Sequence, residues 1–177
     1  PRFKGADMRY EYSTMTEALR SEQPTVLAQS FDLSRSTQAV VWLSNIRVYS
    51  FGLMVSVSVL TRELDANLIL GQLDLNQKGA QTPVSLGVEF ADGRSLTLDG
   101  PTQEGVVLEV RDAFSGEGSL QANVLLAPIP PPGPLRFVAA IPGLDVPKSG
   151  AILDGNHIAA ESGNVERLWT ATRTPNG

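Results

Sequence analysis

Apolar and polar residues alternate along much of this chain from about residue 25 onward. The clearest alternation lies in the segment 53–59, where the residues expected to face a core are Leu53, Val55, Val57 and Val59. Ser56 and Ser58 lie between them and are expected to face water. A period of two with one apolar face is typical of strands in antiparallel sheets.

Similar alternation recurs in several further segments: 26–33, 38–49, 86–90, 96–98, 106–111, 120–126 and 135–141. Turn-forming residues separate these segments, and the long helices that a parallel α/β sheet requires are missing between them. The pattern therefore predicts a mostly β fold. We expect an antiparallel β-sandwich, immunoglobulin-like or related, of about eight strands with one or two short helices.

The segment 38–49 contains one of the two tryptophans of the chain. Counting every second position gives the inward set Val40, Trp42, Ile46 and Val48. Asn45 and Arg47 fall on the opposite face. We therefore expect Trp42 to be a core anchor, like the central aromatic residue of immunoglobulin-type sandwiches. A ligand-stacking role would require Trp42 to be exposed instead.

The hairpin between residues 86 and 98 has a register that the pattern itself selects. A two-residue turn would put the apolar side chains of its two strands on opposite faces. A three-residue loop over residues 91–93 restores them to one face and pairs Val88 with Leu96. Such a loop ends in a left-handed bulge residue, so we expect a positive φ at Gly93.

The proline-rich segment 128–134 is predicted to be a stiff crossover between strands, and the natural place for it is between the two sheets. A peptide-recognition motif is the alternative interpretation, but predicted strands flank the segment tightly on both sides. The crossover is therefore favoured.

Helices are predicted at three places. Capping-box spacing favours one or two turns within residues 14–20. Helical spacing of leucines predicts a short helix over residues 63–71. Asp154 is placed to cap a helix over residues 156–161, which Gly163 would end.

These elements divide the chain into an N-terminal arm (1–24), a β-sandwich domain (25–163) and a C-terminal tail (164–177). Leu168 and Trp169 are expected to dock the tail on the core of the sandwich.

Three stretches resemble segments of a group of uncharacterised actinobacterial proteins, which show "LGVEYADGR", "LPPPGPL" and a terminal "LW". The matching stretches are residues 86–94, 127–135 and 166–169. The resemblance spans roughly residues 25–169 and implies an intracellular bacterial protein. It implies no activity, because none is established for the group, and no functional residue carries over.

Composition and charge narrow the possible functions. The net charge is −5 and the basic residues are scattered singly, so we expect no nucleic-acid partner. The chain has no cysteine and a single histidine, which excludes thiol chemistry and zinc sites built on several histidines. No apolar run reaches the roughly 18–20 residues that span a bilayer. We therefore expect a cytoplasmic protein without a membrane span or a cofactor.

Candidate catalytic groups are sparse. His157 could pair with Asp154 or Glu161, although a surface or capping role is the favoured interpretation. Outward carboxylates on neighbouring strands, such as Glu89 and Glu109, could bind a divalent cation or hydrolyse a glycoside. Solvated strand faces explain these carboxylates more simply.

A few apolar residues fall on faces that alternation assigns to water. Tyr49, Leu125 and Val138 are of this kind, and Trp169 in the tail joins them as a candidate interaction residue. Exposed apolar residues on one sheet face suggest a protein interface. The alternative is that an arm or the C-terminal helix covers them.

Three functions remain on these grounds. The first is a non-enzymatic protein-interaction or structural module that binds a protein partner or assembles with itself. The second is a small-molecule or carbohydrate-binding sandwich with a pocket near residues 64–81. The third is a carboxylate-based hydrolase, which would need two titratable groups in one cleft.

Overall fold

The computed structural model describes residues 6–62, 73–74, 82–101, 103, 105–116 and 118–169, and for residues 6–12, 73–74 and 82–83 only the backbone. The helix predicted over residues 63–71 lies outside the described residues. So does the side-chain structure of the region 64–81, where the second function places its pocket.

Strands dominate the described backbone, as the alternation predicts. The helical elements are α1 (Ala6–Ser21), α2 (Gly155–Ser162) and a 3-10 turn at Pro142–Leu144. The strands are β1 (Glu22–Gln23), β2 (Thr25–Leu27), β3 (Phe31–Arg35), β4 (Ala39–Val48), β5 (Leu53–Thr61), β6 (Leu73–Asp74), β7 (Thr82–Pro83), β8 (Ser85–Glu89), β9 (Ser95–Thr97), β10 (Val107–Gly116), β11 (Ser119–Ala127), β12 (Pro134–Ile141), β13 (Val146–Asp154) and β14 (Glu166–Arg167).

Two antiparallel sheets build the sandwich. The larger sheet has the order β10-β11-β5-β4-β2, and β3 also pairs with the first half of β4. The smaller sheet has the order β13-β12-β8-β9. The predicted mostly β, antiparallel sandwich is therefore confirmed.

The hairpin of β8 and β9 has the predicted register. Val88 lies opposite Leu96, and the N–H of Phe90 bonds the carbonyl of Arg94 across the loop 91–93. Gly93 has a φ of +86°, the left-handed conformation that the three-residue loop requires. The register prediction and the positive φ are both confirmed.

The proline-rich segment 128–134 leads from β11 in the larger sheet to β12 in the smaller one, so the predicted crossover between sheets is confirmed. Serines of β3 and the following turn link the two sheets elsewhere. The Ser34 hydroxyl donates to the carbonyl of Pro147 at 2.6 Å, and the Ser36 hydroxyl donates to that of Leu144 at 2.8 Å.

The facing sides of the sheets form the core. On β5 the four residues expected to face inward, Leu53, Val55, Val57 and Val59, are at most 1% exposed. Ser56 and Ser58 on the other face are also buried, at 1% and 7% exposure, so their expected exposure is wrong. The Ser56 hydroxyl donates to the Asn123 side-chain carbonyl at 2.8 Å, which satisfies it in this setting.

In strand β4, only the residues of the C-terminal half face the side that was predicted. Ile46 and Val48 are fully buried, but Val41 and Leu43 take the core positions that parity gave to Val40 and Trp42. The cause is a β-bulge between Ser44 and Arg47, where Asn45 has a φ of +48°. Because the bulge adds one residue to the strand, it reverses which face every earlier side chain occupies. Trp42 therefore lies on the outer face, and its assignment to the core is wrong.

The N-terminal helix is longer than the one or two turns predicted, since α1 has 16 residues. Helix α2 agrees with its prediction. The Asp154 side chain accepts from the N–H of Asn156 at 2.9 Å, and the helix ends at Gly163, whose N–H bonds the Ala160 carbonyl.

Candidate functional site

Two of the residues predicted to be exposed lie beneath α1. Tyr49 is 6% exposed and Leu125 is fully buried, and they form a small apolar cluster with Met54. Leu19 of α1 packs against this cluster, together with Phe51. The expectation that Tyr49 and Leu125 face water is wrong, because Leu19 near the C-terminal end of α1 and Phe51 pack against their cluster.

The same end holds a buried carboxylate. Glu22, which is 6% exposed, accepts hydrogen bonds from the N–H and the hydroxyl of Ser50 at 3.0 and 2.6 Å. Burial raises the pKa of the Tyr49 phenol; the Arg47 charge opposes this rise and the Glu22 charge adds to it. These contacts tie the end of α1 to the loop between β4 and β5.

Val138 is also buried, at 5% exposure, so its predicted exposure is wrong. Its cross-strand neighbours are both glycines, Gly87 on β8 and Gly150 on β13. The two methyl groups of Val138 lie 3.2 and 2.9 Å from where a Cβ atom would stand at Gly87 and at Gly150. The side chain thus fills a gap in its own sheet.

Trp169 is 68% exposed, and its indole N–H donates to the carbonyl of Arg20 at 3.2 Å. Just before it, β14 pairs with β1, and the N–H of Leu168 bonds the Ser21 carbonyl at 2.7 Å. The described part of the tail, up to Trp169, is therefore hydrogen-bonded to the end of α1, and the expected docking of Leu168 and Trp169 on the core is wrong. A role of Trp169 in an interaction stays a prediction.

Within the described part of the chain, His157 lies near Asp154 and Glu161 at the surface of α2, whereas the candidate carboxylates on β8 and β10 lie apart from them and from each other. The side chain of His157 is 52% exposed, and its Nδ1 atom lies 4.0 Å from Glu161 one helical turn away. The Asp154 carboxylate caps α2. Its pKa is lowered, mainly because it accepts a hydrogen bond from the backbone N–H of Asn156.

Glu89 and Glu109 lie in different sheets. Glu89 is paired with Arg136 at 3.0 Å, and Glu109 is paired with Arg111 at 2.7 Å. Across the described residues, no three histidine or acidic side chains are grouped in a way that could hold a metal ion.

A different feature emerges on the outer face of the larger sheet. Cross-strand pairing brings four side chains into one row: Phe114 on β10, Gln121 on β11, Ser58 on β5 and Trp42 on β4. Phe114 is 73% exposed, and Leu60, two residues along β5 from Ser58, is 51% exposed. Aromatic rings thus stand at the two ends of the row, with small or polar side chains between them.

This row forms the floor of a shallow depression of about 540 Å³, here named the aromatic concavity. Its lining residues are Trp42, Ser44, Ser58, Val59, Leu60, Phe114, Ser115, Gly116, Ser119, Leu120 and Gln121. None of them carries an ionisable side chain. The concavity is an open, shallow part of the sheet surface and not an enclosed pocket.

A polar ladder separates the aromatic concavity from the end of the sheet that α1 covers. Asn123 is its centre: its side-chain carbonyl accepts from Arg47 at 2.9 Å and from Ser56, and its amide donates to Asp112 at 2.7 Å. Arg47 and Asp112 are thus both hydrogen-bonded to the neutral amide of Asn123 beside the concavity.

Alternation could not place Phe114 here, because β10 also contains a bulge. The register shifts between Val110 and Asp112, so that Phe114 faces outward although it has the same parity as Val110. Two bulges therefore turn both aromatic residues of the concavity away from the core. Little in the sequence indicates this: Trp42 lies in the apolar run 39–43, and Phe114 lies between Ala113 and Ser115.

No helix in the described part of the chain is long and apolar enough to cross a membrane. A comparison with models of protein families finds no match for this chain, and comparisons with curated proteins and with solved structures find none either.

Proposed function

We propose that this protein is a non-enzymatic binding module that recognises its ligand with the aromatic concavity. The observation that carries the proposal is the exposure of Phe114 and Leu60 around a depression without ionisable side chains. Exposed apolar side chains that are grouped in this way are typical of binding surfaces. His157 and its neighbour Glu161 lie at the surface of α2. The other two candidate carboxylates lie on β8 and β10, in different sheets. This arrangement favours binding over catalysis, which needs titratable groups that converge in a cleft.

NMR spectroscopy of the ¹⁵N-labelled protein tests the proposal. The titrants are a panel of amino acids, nucleosides, short peptides, and neutral and acidic oligosaccharides. Compounds that bind are expected to shift the indole N–H of Trp42 and the amides of Phe114 and Gln121, while the amide of Ile152 on the smaller sheet stays in place. Binding that shifts signals elsewhere, or a panel without any binder, would count against the proposal.

A second candidate function is a protein-interaction module that uses the joined chain ends. The specific observation in its favour is the exposure of Leu168 and Trp169, at 44% and 68%, where β14 meets β1. In the same experiment, peptides that shift the Trp169 indole and leave Trp42 unchanged would favour this second candidate.

A further inference from the structure

We infer that the aromatic concavity takes a neutral, polyhydroxylated chain, an oligosaccharide that lies across the strands from Trp42 to Phe114. This inference rests on the proposed function and adds the chemical class of the ligand. Its grounds are the spacing of the two aromatics, the absence of charge in the lining, and the mixture of rings and hydroxyl groups.

The spacing sets the size of the ligand. Trp42 and Phe114 lie three strands apart in one row, and neighbouring strands are about 4.8 Å apart, so their Cα atoms are separated by roughly 14 Å. A single small ring cannot contact both aromatic side chains. A ligand that does so is an extended chain of several units.

The lining sets the charge of the ligand. A charged group that leaves water needs an opposite charge or several hydrogen bonds to replace its hydration. Among the described residues that line the concavity, none has an ionisable side chain. The neighbouring carboxylates are engaged, since Asp32 is paired with Arg35 and Asp112 accepts from Asn123. A neutral ligand therefore fits better than an anion or a cation.

The chemistry of the lining selects a sugar among neutral ligands. A pyranose ring has an apolar face of C–H groups, which packs well on the face of an indole or phenyl ring. Its hydroxyl groups need partners that both donate and accept, and serine hydroxyls and glutamine amides do so. Ser58 and Gln121 lie between the two aromatics in the same row, and Ser44 and Ser119 line the rim.

A protein partner fits the same surface less well. A stable protein interface buries about 800 Å² on each partner around an apolar centre. Here the exposed large apolar side chains are Phe114 and Leu60, beside a partly buried Trp42, and serines and Gln121 occupy the centre between them. A polar centre with aromatic ends matches a hydroxylated chain.

Fluorescence of a single tryptophan gives the test. The chain has two tryptophans, so Trp169→Phe leaves Trp42 as the only emitter. This variant is titrated separately with neutral hexasaccharides of glucose, mannose and xylose, and with a hexagalacturonate as the charged counterpart. At least one neutral hexasaccharide is expected to change the Trp42 emission in a saturable way below about 10 mM. The hexagalacturonate is expected to bind at least about tenfold more weakly.

Variants then locate the site by calorimetry with the saccharide that binds. Phe114→Ala is expected to weaken binding about fivefold to tenfold, because it removes one of the two stacking surfaces. Ile152→Ala is the matched control, since Ile152 is 60% exposed on the smaller sheet, and it is expected to leave the affinity unchanged.

The inference is wrong if no neutral hexasaccharide changes the Trp42 emission, or if Phe114→Ala and Ile152→Ala act alike. If short peptides or a second copy of the chain perturb Trp42 while saccharides do not, the ligand class is wrong and the proposed binding function stands. If nothing perturbs Trp42, both are wrong.

Discussion

The variant Leu125→Ala is a decisive test, because alternation and the structure predict different losses of unfolding free energy for it. Alternation along β11 places Leu125 on the face toward water, where truncation would change stability by no more than about 0.5 kcal/mol. The structure places it in a cluster with Tyr49 and Met54, under Leu19 of α1, where it is fully buried. The cost of the truncation therefore measures whether α1 covers the sheet.

Leucine-to-alanine changes at buried sites cost about 2–5 kcal/mol, and the value depends on how far the surroundings collapse into the cavity. The Leu125 cluster is small, and one side of it is a single helix that can move inward. We therefore expect a loss of about 2–3 kcal/mol of unfolding free energy. With a urea m-value of about 2 kcal/mol/M, the unfolding midpoint falls by about 1–1.5 M.

Urea unfolding followed by circular dichroism measures this loss, with Gln121→Ala as the control. Gln121 lies on the same strand and the same face but is exposed, so its truncation is expected to cost less than about 0.5 kcal/mol. Leu19→Ala and the double variant complete a thermodynamic cycle. Because Leu19 and Leu125 belong to one cluster, we expect a coupling of at least about 0.5 kcal/mol.

Two results would refute this reasoning. If Leu125→Ala is as mild as Gln121→Ala, the residue is not buried in solution. If Leu125→Ala is costly but shows no coupling to Leu19→Ala, something other than α1 covers this end of the sheet.

Three further perturbations have defined outcomes. Gly150→Ala is expected to lower the unfolding free energy measured in urea by about 2 kcal/mol or more, since the new Cβ would collide with the Phe137 carbonyl. The control Gly116→Ala is expected to be mild, because its Cβ would make an ordinary contact at 3.5 Å. Equal losses would contradict the glycine packing in the smaller sheet. Burial raises the pKa of Tyr49, so its contribution to stability is present below about pH 10 and is lost as the pH rises through the folded-state pKa. Tyr49→Phe is therefore expected to flatten the fall of the unfolding free energy at alkaline pH. An unchanged alkaline fall would argue against burial of the phenol. The pKa of Asp154 is lowered, so its contribution to stability is present above the unfolded-state pKa and is lost as the pH falls through the folded-state pKa. Asp154→Asn is expected to make the unfolding midpoint less dependent on pH in the acid range. An unaltered acid dependence would contradict the helix cap.

The elements that sequence reasoning placed correctly depend on local rules. The loop 91–93 could be predicted because side-chain parity and the φ preference of Gly93 select the same turn. Helix α2 could be predicted from Asp154, since a capping side chain acts within its own turn. The crossover 128–134 follows from prolines that cannot pair in the middle of a sheet.

The candidate site could not be predicted in this way. Trp42 and Phe114 face outward because one bulge in β4 and one in β10 reverse the parity of each strand. No particular residue type marks the extra residue of such a bulge. Counting every second residue therefore assigns the wrong face to the residues on one side of it. Parity thus places Trp42 in the core, Phe114 lies beyond the predicted segment 106–111, and the sequence does not show the concavity between them.

The sequence by itself determined most strands of the two sheets, their antiparallel pairing and the turn at Gly93, because the period of two and the φ preference of glycine are properties of neighbouring residues. Strand β13 lies outside the predicted segments, and only the tertiary structure shows it. Tertiary structure alone decided which apolar side chains reach water. Leu125 and Tyr49 are buried in a cluster against which Leu19 of α1 packs, and Val138 is buried between two glycines of adjacent strands. Exposure depends on what packs against a face from distant parts of the chain, and alternation carries no information about that packing.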